Sequence, residues 1–283
     1  MRAAGGALAT SPLLPVLRRS CRDVERFIFC ATTGRSGTES LSAILAAGQG
    51  VMSAHEPFPV MNSHVLRAAA AGHKRTVQLA WSSMKLPTIL SQARGHRVYA
   101  ETNHQFVKVF ADLAHGEFGA RLAVVHLVRD RFRVARSLHE LGMIPGTAAG
   151  SRWLLHPAAP TNIVPFDIAV ARGLTHSFHR CLWYCIETEA RVEAARERLS
   201  RDCTWIDMDV EALNSEPGLE RLDEALDLRL PSTFELAGRR LNRKPKRPRV
   251  SRRLPDDEAA KLYERFLDAY GDWPTVTREP SPR

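Results

Sequence analysis

Phe27-Ile28-Phe29-Cys30-Ala31-Thr32-Thr33-Gly34-Arg35-Ser36-Gly37-Thr38-Glu39-Ser40-Leu41 decides the reading of this chain. An apolar run leads into a turn of small residues that carries one arginine, and a helical pattern follows. This is the order strand, anion-binding loop, helix. Gly34 and Gly37 let the backbone turn tightly, so the amides of Ser36, Gly37 and Thr38 can converge at a helix N-terminus, where an oxyanion is stabilised. Arg35 adds a forked, permanently charged donor suited to phosphate or sulfate. Taken alone, the stretch also fits an ordinary glycine-rich turn between strand and helix.

Outward from it, the pattern alternates strand and helix, as a mainly parallel α/β sheet of about five strands flanked by helices requires. Strands are expected at 26–33, 50–54, 97–101, 122–128 and 203–208. The fourth, Leu122 to Val128, is apolar almost throughout, which marks a central strand covered on both faces. Helices are expected at 38–47, 60–71, 77–94, 105–113, 132–141, 216–226 and 256–270. Pro87 and Gly95 serve as punctuation. A long helix over 167–199 takes Asp167 as its N-cap, and its Glu187 and Arg191 form a surface pair. Residues 142–165 read as an irregular, substrate-facing loop.

The 283 residues fit one domain, 26–275, after a flexible leader (1–25) and before a short tail (276–283). The formal net charge is +9, and the segment Arg239 to Arg253 alone holds nine basic residues and no acidic one. The positive charge is therefore local and calls for an anion at one place. Cys21, Cys30, Cys181, Cys185 and Cys203 form no disulfide framework or zinc-like spacing, and Cys181 and Cys185 read as core residues. The apolar stretch Ala7 to Leu17, broken by Pro12 and Pro15, is too short to span a bilayer. A cytoplasmic location is expected, and a homodimer is compatible with the chain.

The loop Thr33-Gly34-Arg35-Ser36-Gly37-Thr38, combined with Arg129 and Ser137 eight residues apart after a buried strand, resembles the sulfotransferases that use 3′-phosphoadenosine 5′-phosphosulfate (PAPS). The resemblance spans about Phe27 to Arg253 and implies their P-loop-like architecture. It assigns Arg35, Ser36, Gly37, Thr38 and Ser40 to the 5′-phosphosulfate, and Arg129 and Ser137 to the 3′-phosphate. Arg243 and Lys244 stand for the late basic loop. Departures include Gly34 where proline is common, Glu39 where a small hydroxyl residue is common, and Arg131 for a frequent proline. Glu39 is expected to point away from the anion.

The implied reaction moves a sulfuryl group to a hydroxyl or amine acceptor: a carbohydrate, glycolipid or small molecule. The product is adenosine 3′,5′-bisphosphate (PAP), and no metal is needed. Glu56, in His55-Glu56-Pro57, is the favoured base. His104 is the runner-up and His55 a third candidate, all at strand ends. Acceptor contacts are expected from 57–71, from the neighbourhood of His104 and from 142–165, where Trp153 and His156 either face a sugar ring or pack, with packing preferred. No specific nucleic acid is an expected partner. A kinase or GTPase loop would need a lysine after Gly37, which is absent. The alternatives are another P-loop nucleotide enzyme or a non-catalytic binder of anionic polymers acting through 239–253.

Overall fold

A computed structural model describes residues 13–199, 201–233 and 253–271. Five strands form one all-parallel sheet in the order β2-β3-β1-β4-β5. They are β1 (Arg26–Ala31), β2 (Val51–His55), β3 (Val98–Thr102), β4 (Leu122–Val128) and β5 (Thr204–Asp209). The period-2 alternation of β1 sends Phe27, Phe29 and Ala31 into one core and Ile28 and Cys30 into another. In β4, Leu122 and Val124 join the first, while Ala123, Val125 and Leu127 join the second. Both strands are thus buried on both faces, as their continuous apolar sequences require.

On the second face lie α2 (Thr38–Ala46) and α10 (Glu216–Leu226). On the first lie α1 (Leu14–Ser20), α5 (Leu86–Ala93), α6 (Ala111–Phe118) and the C-terminal half of α9 (Ser177–Leu199). A third core joins α7 (Arg131–Glu140), the N-terminal half of α9, α8 (Asp167–Ala171), α11 (Asp256–Tyr270) and the loop between α7 and α8. Cys181 and Cys185 are buried there as free thiols.

Several expectations need correction. Part of the segment read as a flexible leader is α1, which buries Leu14, with Cys21 and Val24 buried just beyond it, and ties Arg18 to Glu117 through two bonds of 2.6 and 2.7 Å. The helix expected over 60–71 is α3 (Ser63–Ala70). Pro87 does not punctuate: α4 (Lys74–Ala80) runs through a π turn, Trp81–Lys85, into α5. The wider turn absorbs the hydrogen bond that proline cannot donate. The helix expected to begin at Gln105 opens instead with a second π turn, Phe106–Phe110.

The long helix over 167–199 is two helices. α8 ends at Gly173, φ +69°, where the Leu174 amide donates to Ala169 O and the Gly173 amide to Val170 O. This is the six-to-one, five-to-two pattern that closes helices at a left-handed glycine. Asp167 is the first helical residue of α8, not its cap. Glu187 and Arg191 are no surface pair either. Glu187 is fully buried, accepting from Arg191 Nε at 2.6 Å and from the amides of Ile163 and Val164 at 2.9 and 2.8 Å. Burial pushes its carboxyl upward, against the Arg191 charge and these hydrogen bonds.

Candidate active site

The C-terminal ends of all five strands open into one cleft of about 990 Å³. The connections leave β1 toward β2 and β3 on one side, and β3 to β4 crosses to the other, so the cleft lies at the point where strand order reverses.

The loop after β1 is built by its own side chains. The Thr33 and Ser36 hydroxyls lie 3.0 Å apart, and each donates to the Gly34 carbonyl at 3.0 Å. Ser36 is thereby buried and does not line the cleft, whereas Gly34, Arg35 and Gly37 on either side of it do. Gly34 and Gly37 both have φ +81°, and Gly37 caps α2 in the left-handed conformation. A Cβ on Gly37 would lie 2.6 Å from Val210 Cγ2. Gly37→Ala is therefore expected to lose about 1–2 kcal/mol of stability from the left-handed backbone alone. Denaturant midpoints check this. Adding Val210→Ala should relieve the contact and leave the backbone cost.

The two arginine-bearing motifs meet. Arg129, just beyond β4, donates from Nη1 to the Arg35 carbonyl at 2.6 Å, and Arg35 Nε donates to Ser137 Oγ at 3.2 Å. Neither guanidinium forms an ion pair among the described residues. Partial burial lowers the Arg129 pKa; the Arg133 and Arg35 charges add to this, and the Glu211 charge opposes it. Thr38 and Ser40 also line the cleft. Glu39, expected to point away, lines it too, with Oε1 4.0 Å from Nε2 of His55 at the end of β2. Arg243 and Lys244, with nearly all of 239–253, lie outside the described residues.

The rival bases prove to be neighbours. β2 and β3 pair side by side, so their exits bring Glu56 Oε1 within 2.6 Å of His104 Nδ1. His104 Nε2 lies 2.8 Å from Gln105 Nε2, which also donates to Trp153 O at 3.0 Å. With both amide hydrogens so used, Nε2 accepts and Nδ1–H donates to Glu56, which is the neutral tautomer of His104. Turning the Gln105 amide over would set oxygen against the Trp153 carbonyl. Burial works to raise the Glu56 pKa, but the hydrogen bond from His104, with the nearby His55 and Lys108 adding to it, outweighs burial, and the carboxyl lies below its ordinary value. His55 Nδ1 is engaged with Thr102 at 3.1 Å.

One wall of the cleft is apolar: Leu138, Leu141, Met143, Trp153 and Leu154. Trp153, read as a packing residue, faces the cleft with its ring centroid 5.8 Å from that of His104; His156 does not line it. Nothing from 57–71 lines the cleft, contrary to expectation. Past Glu56, φ +46°, the chain turns through the cis Phe58–Pro59 peptide, and Asn103 Nδ2 holds the Val60 carbonyl at 3.0 Å, directing α3 into the core.

Sequence reading missed Lys108 and Tyr184. Lys108 Nζ donates to Tyr184 Oη at 2.7 Å, and Tyr184 Oη donates to the Thr33 carbonyl at 2.8 Å. The one sequence signal was a lysine inside the apolar run Phe106 to Phe110.

The chain matches no protein-family model and no curated protein. Among solved structures it is similar to the sulfotransferase domain from the curacin biosynthetic pathway, at 14% identity over 72% of this chain and 74% of that one, TM-score 0.44. It is also similar to the sulfotransferase domain from the Synechococcus PCC 7002 olefin synthase, at 14% identity over 86% of this chain and 94% of that one, TM-score 0.42. Likeness of this degree carries no argument, so function has to come from the residues. Among the described residues, no helix is long and apolar enough to cross a membrane.

Proposed function

We propose that the chain is a sulfotransferase that uses PAPS as donor and a hydroxyl or amine as acceptor. The observation that supports it is the contact of the Arg35 loop with Arg129 and Ser137, placing two cationic, hydrogen-bonding turns in one cleft beside a carboxylate–imidazole pair. The fit to a doubly phosphorylated nucleotide rests on three features. The cleft volume suits a ligand of that size. Two glycines open the backbone of the loop. Two guanidiniums lack carboxylate partners among the described residues.

In this reading Arg35 and the amides of Ser36, Gly37 and Thr38 take one anionic group, and Arg129 and Ser137 take the other; the Arg35–Ser137 bond yields to the ligand. When bound, the donor supplies an activated sulfuryl group and departs as PAP, the electron pair of the broken sulfur–oxygen bond staying on the phosphate. Arg35 and the loop amides stabilise the charge that grows there. Glu56 accepts the proton that the acceptor loses on bonding to sulfur, and His104 holds Glu56 in place.

The test is thermal unfolding with PAP. Saturating PAP should raise the melting temperature, as any ligand selective for the native state does. Arg129→Ala should remove that shift. A protein unresponsive to PAP but binding anionic polymers with steep salt dependence would instead be the non-catalytic binder.

A further inference from the structure

Gln105 is fully buried in the turn between β3 and the π turn Phe106–Phe110. Its backbone is fixed at both ends. The amide donates to Asn103 Oδ1 at 2.9 Å, and the carbonyl accepts from the amides of Lys108 and Val109 at 3.1 and 2.9 Å. From this anchored position the side chain touches two parts of the site at once: Nε2 lies 2.8 Å from His104 Nε2 and 3.0 Å from the Trp153 carbonyl. Its Oε1, by contrast, is buried with no hydrogen-bond partner among the described residues. A stranded buried oxygen costs stability and calls for a reason. An apolar side chain of similar volume would carry no such oxygen.

The reason lies in what the amide does to His104. A carbonyl oxygen only accepts, so the Trp153 carbonyl keeps the NH2 side of the amide turned toward itself and therefore toward the imidazole. One N–H then occupies the lone pair of His104 Nε2, and a proton on that nitrogen would meet it head-on. Nδ1, 2.6 Å from Glu56 Oε1, is left as the donor. The other titratable or charged groups of the surrounding elements are His55 of the β2 exit, Lys108 of the π turn, Tyr184 of α9, Arg35 of the anion loop and Arg152 beside Trp153. Among the described residues none of these hydrogen-bonds a ring nitrogen of His104. A carboxylate as near as Glu56 would by itself favour the doubly protonated, charged imidazole. That imidazolium would in turn hold the carboxylate ionised and make it a weaker proton acceptor.

We propose that Gln105 is a positioning residue of this site: its amide, held by the Trp153 carbonyl, caps the one basic nitrogen of His104, so that the imidazole stays uncharged, donates to Glu56 and leaves the incoming proton to the carboxylate. Its purpose rests on the sulfotransferase reading, while the capping of His104 stands apart from it. The test therefore reads the imidazole directly. The full chain, labelled in histidine and glutamine nitrogen, is studied by NMR, with the His104 signals assigned by their loss in His104→Gln.

At a pH of about 6.5, the ordinary histidine midpoint, wild-type His104 should show a protonated Nδ1 and a bare Nε2, with a spin coupling carried across the hydrogen bond from Gln105 Nε2. Gln105→Met and Gln105→Leu should each move the Nε2 resonance from the bare to the protonated range. A purely structural glutamine would change stability and leave the protonation of the ring as it was. A protonated Nε2 in the wild type, or no coupling across the pair, overturns the proposal, and neither result needs a variant that folds. A bare Nε2 in a variant that still unfolds cooperatively overturns it as well. PAP forms a separate arm. A missing melting shift would sink the sulfotransferase reading and leave the result on Gln105 standing.

Discussion

Glu56→Gln should lower turnover by about two to four orders of magnitude, the range for loss of a general base. The substitution is nearly isosteric, and its amide oxygen can still accept from His104 Nδ1–H, so the geometry that now measures 2.6 Å is retained. What disappears is the basic oxygen. Glu56 belongs to neither arginine-bearing turn, so PAP should still raise the melting temperature of this variant. Single-turnover transfer from labelled donor, at saturating donor, checks the prediction. Full turnover would take the proton away from Glu56 and leave His104 to accept it.

A second large effect is expected beneath the site. Lys85 Nζ donates to Glu101 Oε1 at 2.6 Å with both side chains fully buried, and Glu101 also accepts from Tyr99 Oη and Asn103 Nδ2, each at 2.9 Å. Burial lowers the Lys85 pKa, with the charge and hydrogen bond of Glu101 opposing it. Glu101→Ala strands that ammonium and should destabilise the fold by about 3–5 kcal/mol, a large part of the roughly 5–15 kcal/mol that holds a domain together. Replacing both partners, with Lys85→Met and Glu101→Leu, should recover most of the loss, because two apolar side chains leave no orphaned charge. Equilibrium unfolding in denaturant distinguishes the cases. If Glu101→Ala unfolds at the wild-type midpoint, the pair contributes nothing to stability. The network also reaches the site, since Asn103 Nδ2 holds the Val60 carbonyl and its Oδ1 accepts from the Gln105 backbone N–H at 2.9 Å.

Much of this architecture could be read from sequence because it is written locally. β1 and β4 announce themselves as strands buried on both faces, and α10 and α11 fall where their apolar periodicity places them. The break between α8 and α9 was also written, in Gly173, though the reading of one helix over 167–199 ran straight through it. The two π turns have no comparable local mark. The meeting of Arg35 with Arg129 depends on β1 lying beside β4, and that of Glu56 with His104 on β2 lying beside β3. Strand order is a property of the assembled sheet, so sequence ranked Glu56 and His104 as rivals when they are partners. Lys108 went unnoticed, and Glu187 was read as a surface residue, for a related reason. A charge within a helical pattern reads as solvated, and only packing shows that each is enclosed.

Glu187 carries a consequence for how such a site could diversify. Besides the Arg191 side chain, its carboxylate grips the backbone amides at 163 and 164 and no side chain of the segment they belong to, so that anchorage of the 142–165 segment is indifferent to which residues the segment displays. Leu141, Met143, Trp153 and Leu154 can then be exchanged to suit another acceptor while the curve of the chain that presents them is inherited unchanged. On the sulfotransferase reading, acceptor choice and nucleotide capture would then be separately adjustable, with α9 as the fixed frame between them.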